Sequence, residues 1–64
     1  MRLAYLPTNA AWCVILGDRI DDASIVGLWD ASGFIGRLFG TRREAIAALH
    51  LCGLTVEGSR IVNA

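Results

Sequence analysis

Residues 41–53, TRREAIAALHLCG, constrain the fold most, because one short stretch carries a start, a period and a stop for a helix. Thr41 is placed to accept a hydrogen bond from the third helical N–H, and Glu44 stands where it can reach back to the cap, the T-x-x-E capping box. Glu44 also complements the positive end of the helix dipole. Ala45, Ile46, Ala48, Leu49 and Cys52 recur at helical spacing and form an apolar stripe. Arg42, Arg43, Ala47 and His50 fall toward solvent or its edge, and Gly53 supplies the left-handed stop. A helix over about 42–52 is therefore expected, and its stripe needs a surface to cover.

That surface is expected from short strands. Residues 11–16, AWCVIL, are aromatic and β-branched, too few for an ordinary helix, and followed by the turn pair Gly17-Asp18. Residues 2–6 alternate only roughly and suggest an edge strand ended by Pro7. DRIDDAS reads as a loop or one helical turn. Residues 24–29 and 34–39 flank Asp30-Ala31-Ser32-Gly33, with Asp to turn the backbone and Gly to take a positive φ, and so predict a hairpin. In FIGRLF both faces carry apolar residues and only Arg37 marks a wet side, so the pattern leaves the register open. Residues 54–56 and 60–62 predict two more strands about Glu57-Gly58-Ser59. The expected fold is α+β: a small antiparallel sheet of three to five strands with one helix packed on one face, order roughly β-β-β-α-β, in a single domain over 1–64.

Composition narrows the function classes. With 55% hydrophobic and 19% charged residues the chain is well away from disorder. A domain of 64 residues has little interior, so some of Trp12, Trp29, Phe34 and Phe39 must reach the surface. The expected use of such residues is a surface buried by a partner, either a homodimer or another protein; scattered exposed apolar residues are the alternative. Formal charge is zero, every basic residue is Arg, and no overall field draws in nucleic acid or an anionic membrane. The longest apolar run, 10–16, is far short of the ~20 residues that span a bilayer. MRLAYLPTNA has no secretory h-region, so the expected location is cytoplasmic, with Cys13 and Cys52 read as two small buried hydrophobes and a disulfide between them as the alternative.

Few side chains suggest chemistry. His50 and Cys52 diverge by about 200° on a helix, so they do not converge on a metal. Neither cysteine has the electropositive, partly exposed setting of an activated thiolate beside His50. Asp21 and Asp22 are adjacent, and read as hydrated or as an acidic contact patch rather than an acid–base pair. No catalytic residue, metal site or cofactor is expected, and an enzyme is the lowest of the classes considered. The start of the helix offers a sharper local hypothesis: Gly40-Thr41 beside Arg42 and Arg43, with Arg37 converging and Trp29 near enough to stack, would suit an anion or nucleic-acid phosphate. A plainly capped, solvated helix is the bland reading of the same residues.

The run FGTRREAIAALHLCGLTV resembles a recurring ending among small orphan proteins of phages and plasmids, in which a strand, a T-x-x-E-A helix and a Gly-Leu-led strand are tightly joined. Anti-CRISPR proteins are among these. The resemblance implies a non-catalytic binder that covers a working surface of a host nucleoprotein complex; such inhibitors share no motif, so no functional residue transfers. The expected contact residues are Trp12, Asp21, Asp22, Trp29, Arg37, Arg42 and Arg43. The alternative is a small nucleic-acid-binding module using Arg37, Arg42 and Arg43.

Overall fold

The computed structural model describes residues 1–64. Strand β1 (Arg2–Leu6) is stopped by Pro7, which opens a 3-10 turn (Pro7–Asn9). The chain then re-enters as β2 (Ala11–Ile15), with every residue of β1 paired antiparallel to it from Arg2↔Ile15 to Leu6↔Ala11. A second 3-10 turn (Asp22–Ser24) leads into the two-residue β3 (Ile25–Val26), which pairs with the far side of β2. Next come β4 (Leu28–Asp30), β5 (Gly33–Gly36), the helix α1 (Arg42–Leu51), β6 (Leu54–Glu57) and β7 (Arg60–Asn63). The fold is α+β, with one helix and antiparallel sheets throughout.

The main sheet has five strands in the order β3-β2-β1-β7-β6, while β4 and β5 form a separate two-stranded hairpin. Residues 2–6 are therefore not an edge strand but the middle of the sheet. The N–H of Leu3 donates to the Ser59 carbonyl at 2.7 Å, and that of Ile61 to the Met1 carbonyl at 3.1 Å. Pro7 ends the strand without marking an edge, because the proline lies past the last ladder bond. The expected strand 24–29 is split at Gly27 into β3 and β4, and the expected strand 34–39 ends at Gly36. Phe39 makes one isolated bridge, exchanging 2.7 and 2.9 Å backbone bonds with Trp12.

Alternation along the strands explains why so apolar a chain is needed. Leu3, Val14 and Val26 point to one side, where Ala45, Ala48 and Leu49 of α1 cover them together with Leu28. Ala4, Leu6, Cys13 and Ile15 point to the other side and bury one another with Ile25. Arg2 reaches from that side to the Gly17 and Asp18 carbonyls, at 3.5 and 3.0 Å, and ties the loop after β2 to it. Cys13 and Cys52 belong to these different clusters and both are free thiols. The radius of gyration, 10.7 Å, equals the roughly 11 Å of a compact chain of this length.

The helix follows its sequence signals closely. Thr41 Oγ1 accepts from the Glu44 N–H at 3.1 Å, and Gly53, with φ +75°, closes the C-terminus by donating to the His50 carbonyl at 3.0 Å. The reciprocal half of the capping box is not made; the Glu44 carboxylate lies over Gly40 instead. No helix is long and apolar enough to cross a membrane.

Candidate functional site

The β4–β5 hairpin is built around its turn. Asp30 Oδ1 accepts from the Ser32 N–H at 2.8 Å and from the Ser32 hydroxyl at 2.6 Å, and Gly33 takes φ +128°. The Ser32 hydroxyl, then its N–H, hold the Asp30 carboxyl below its ordinary pKa, so the turn carries a fixed negative charge at neutral pH. Behind the turn the register slips: Trp29 faces Phe34 but Leu28 faces Gly36, leaving Ile35 as the extra residue. Such a bulge re-aims side chains. Here it sends Leu28 into the core and packs Ile35 against the helix-side cluster. It turns Trp29 and Phe34 out together.

The two rings meet edge to face, with centroids 4.9 Å apart and an interplanar angle of 61°. Both lean on Gly27, where a Cβ would lie 3.0 Å from Phe34 Cε1 and 3.5 Å from Trp29 Nε1. The pair packs ring against ring yet is 65% and 55% exposed. Aromatic pairs of this geometry contribute about 0.5–1.5 kcal/mol beyond their area, which is enough to favour one arrangement but leaves most of the apolar surface in water.

Of the remaining candidate residues, all but Arg43 are engaged within the fold. Trp12 is half-buried against the helix-side cluster, with its ring tilted over Tyr5 at 5.4 Å. Asp21 caps the second 3-10 turn, accepting from the Ser24 N–H at 3.0 Å. Arg37 donates to both the carboxylate and the carbonyl of Asp22 at 3.0 Å, pinning that turn to the end of the hairpin. Arg42 donates to the Gly58 carbonyl at 2.9 Å and so braces the β6–β7 turn. Arg43 is exposed and enters no ion pair, the one ion pair being Arg37–Asp22.

The structure does not gather Arg37, Arg42, Arg43 and Trp29 at the helix start. Cys52 donates its S–H to the Trp29 carbonyl at 3.3 Å, which places the hairpin at the C-terminal end of α1, about 15 Å of helix away from Arg42. His50 and Cys52 diverge: His50 Nε2 meets Thr55 Oγ1 at 3.3 Å, on the flank away from Trp29.

Seven large apolar residues outside the expected contact set are exposed: Met1, Tyr5, Leu16, Ile20, Phe34, Leu38 and Leu51. Phe34 was signalled by the two-faced pattern of FIGRLF, since a strand apolar on both sides must show one of them. Leu51 stands off the stripe of Ala45, Ala48 and Leu49 on a helical wheel and is 65% exposed. No family model, curated protein or solved structure matches the chain.

Proposed function

We propose that this protein is a non-catalytic protein-binding module whose contact surface centres on Trp29 and Phe34. The observation that carries this reading is a mutually packed aromatic pair left more than half exposed. Large aromatics dominate the energy of protein interfaces, and with few rotatable bonds they lose little entropy on binding. An exposed pair with no such use would only lower solubility. The zero formal charge favours a protein partner over a polyanion.

The finer reading rests on the resemblance of residues 39–56 to phage and plasmid orphan proteins. It makes the partner a host nucleoprotein complex and the effect a steric block of its working surface, in the manner of anti-CRISPR inhibitors. Affinity capture from the lysate of a candidate host, followed by mass spectrometry of the bound fraction, tests both levels. Recovery of a protein by the wild type and not by a folded Trp29→Ala, Phe34→Ala variant supports the module. Recovery of a nucleoprotein subunit supports the inhibitor, and recovery of nucleic acid alone replaces both with the Arg-based alternative.

A further inference from the structure

The two ends of the main sheet differ. At one end β3 is only two residues long, and the separate β4–β5 hairpin is broken by its slip in register, so neither offers a regular edge. β6 closes the other end with Leu54-Thr55-Val56-Glu57 in unbroken register with β7. It carries no proline, bulge or lysine, the features by which sheets blunt an open edge.

Hydrogen bonding along β7 fixes which backbone groups of β6 are free. The Ile61 N–H is turned away from β6 to the Met1 carbonyl, while the Ala64 N–H donates to the Gly53 carbonyl. Bonded and non-bonded pairs alternate along an antiparallel ladder. Thr55 and Glu57 therefore bond to β7, and Leu54 and Val56 point their N–H and C=O groups out of the sheet, where no strand of the protein meets them.

We infer that β6 pairs with β6 of a second copy of this chain, antiparallel about a twofold axis at Thr55, joining the two five-stranded sheets into one. The pairing involves neither Trp29 nor Phe34 and stands apart from the protein-binding reading above. Donors and acceptors at this spacing call for a strand, and the same edge of a second copy supplies one that is complementary by symmetry. One register uses all the free groups of both copies, with Leu54 opposite Val56 of the second copy. Setting Leu54 opposite itself would bring Val56 to Cys52, whose N–H is already held by the helix, and setting Val56 opposite itself would bring Leu54 to Gly58, whose carbonyl is held by Arg42.

The side chains suit the same register. Leu54 and Val56, half-buried against the helix-side cluster, meet across the pairing and cover apolar surface that each leaves open alone. On the other face Thr55 meets Thr55, a favourable cross-strand pair, and Glu57 stands opposite Gly53 rather than another carboxylate. His50, exposed and 3.3 Å from Thr55 Oγ1, flanks the axis and forms no bond to the free backbone groups. An edge of four residues covers less than the roughly 800 Å² per partner of a stable interface, so the association is weak and concentration-dependent.

Sedimentation equilibrium of the full chain between about 10 µM and about 1 mM tests the pairing, with amide hydrogen exchange followed by NMR at both ends of the range. The mass is expected to rise from the 6.9 kDa of one chain toward twice that value. Exchange at Leu54 and Val56 should slow by at least about threefold at the higher concentration, while Thr55 and Glu57, already bonded to β7, should not change. Thr55→Lys sets like charges face to face across the axis and, confirmed folded by circular dichroism, should stay monomeric. A monomer at every concentration overturns the pairing. So does a dimer whose Leu54 and Val56 amides exchange as fast as in the monomer, or one that forms undiminished in folded Thr55→Lys.

Discussion

Phe34 rests on Gly27 so closely that a Cβ added there would lie 3.0 Å from the edge of its ring. Gly36 stands in the same relation to Phe39, at 2.9 Å. The consequences differ because the rings differ in freedom. Phe34 is exposed and can swing away, whereas Phe39 packs against the helix-side cluster next to its backbone bridge with Trp12. Gly27→Ala is expected to change stability by under about 0.5 kcal/mol while altering the near-ultraviolet dichroism of Trp29. Gly36→Ala is expected to cost about 1–3 kcal/mol by overpacking. Urea denaturation of the two variants checks the contrast.

Ala10 adopts φ 47°, ψ 47°, the left-handed conformation, at the junction of the first 3-10 turn and β2. For a residue with a Cβ this conformation costs about 1–2 kcal/mol. Ala10→Gly removes that strain against a smaller loss of unfolded-chain restriction, so a net stabilisation of about 0.5–1 kcal/mol is expected. The midpoint of urea unfolding should rise. A fall would mean that the Cβ makes a contact worth more than the strain.

Thr41→Ala removes the one side chain that caps α1 and should cost about 1 kcal/mol, or about 4–8 °C in melting temperature for a domain of this size. Thr41→Ser should recover most of it. Glu44→Gln should have a smaller effect, since no bond from Glu44 back to the cap residue is formed and only its interaction with the helix dipole is lost.

Cys13 is wholly buried, and burial raises its thiol pKa against a smaller opposing pull from Arg37. An unfolded thiol ionises first, so the contribution of Cys13 to stability is complete below the ordinary thiol pKa. It is lost as the pH climbs through the raised folded value. Denaturation midpoints should therefore fall in alkali, and this part of the fall should disappear in Cys13→Ala. With an aromatic disulfide reagent the half-buried Cys52 should react in the folded protein and Cys13 only on unfolding.

The features legible in the sequence were those whose cause is local. Thr41, Glu44 and Gly53 bound the helix within thirteen residues of chain, and Gly58 and Gly33 turn back strands that are nearest neighbours in sequence. The central position of β1 could not be read that way, because it depends on Leu3 meeting Ser59 and Ile61 meeting Met1 across nearly the whole chain. The contact surface was half legible. Trp29 stood out as an aromatic beside a turn, but its pairing with Phe34 depends on a one-residue slip in register, which a segment apolar on both faces does not announce. Arg37 and Arg42 looked like free cations because their partners, the Asp22 and Gly58 carbonyls, lie fifteen and sixteen residues away.

The most direct measurement is a side-by-side affinity capture from a candidate host lysate with the wild type, Trp29→Ala/Phe34→Ala and Arg42→Ala/Arg43→Ala, each confirmed folded by circular dichroism. Removing two central anchors of an interface costs at least about 2 kcal/mol each, which is more than a hundredfold in affinity. The aromatic variant is expected to lose the partner, and the arginine variant to retain it within about threefold at any salt concentration. Capture at wild-type level by the folded aromatic variant would contradict a contact surface centred on Trp29 and Phe34.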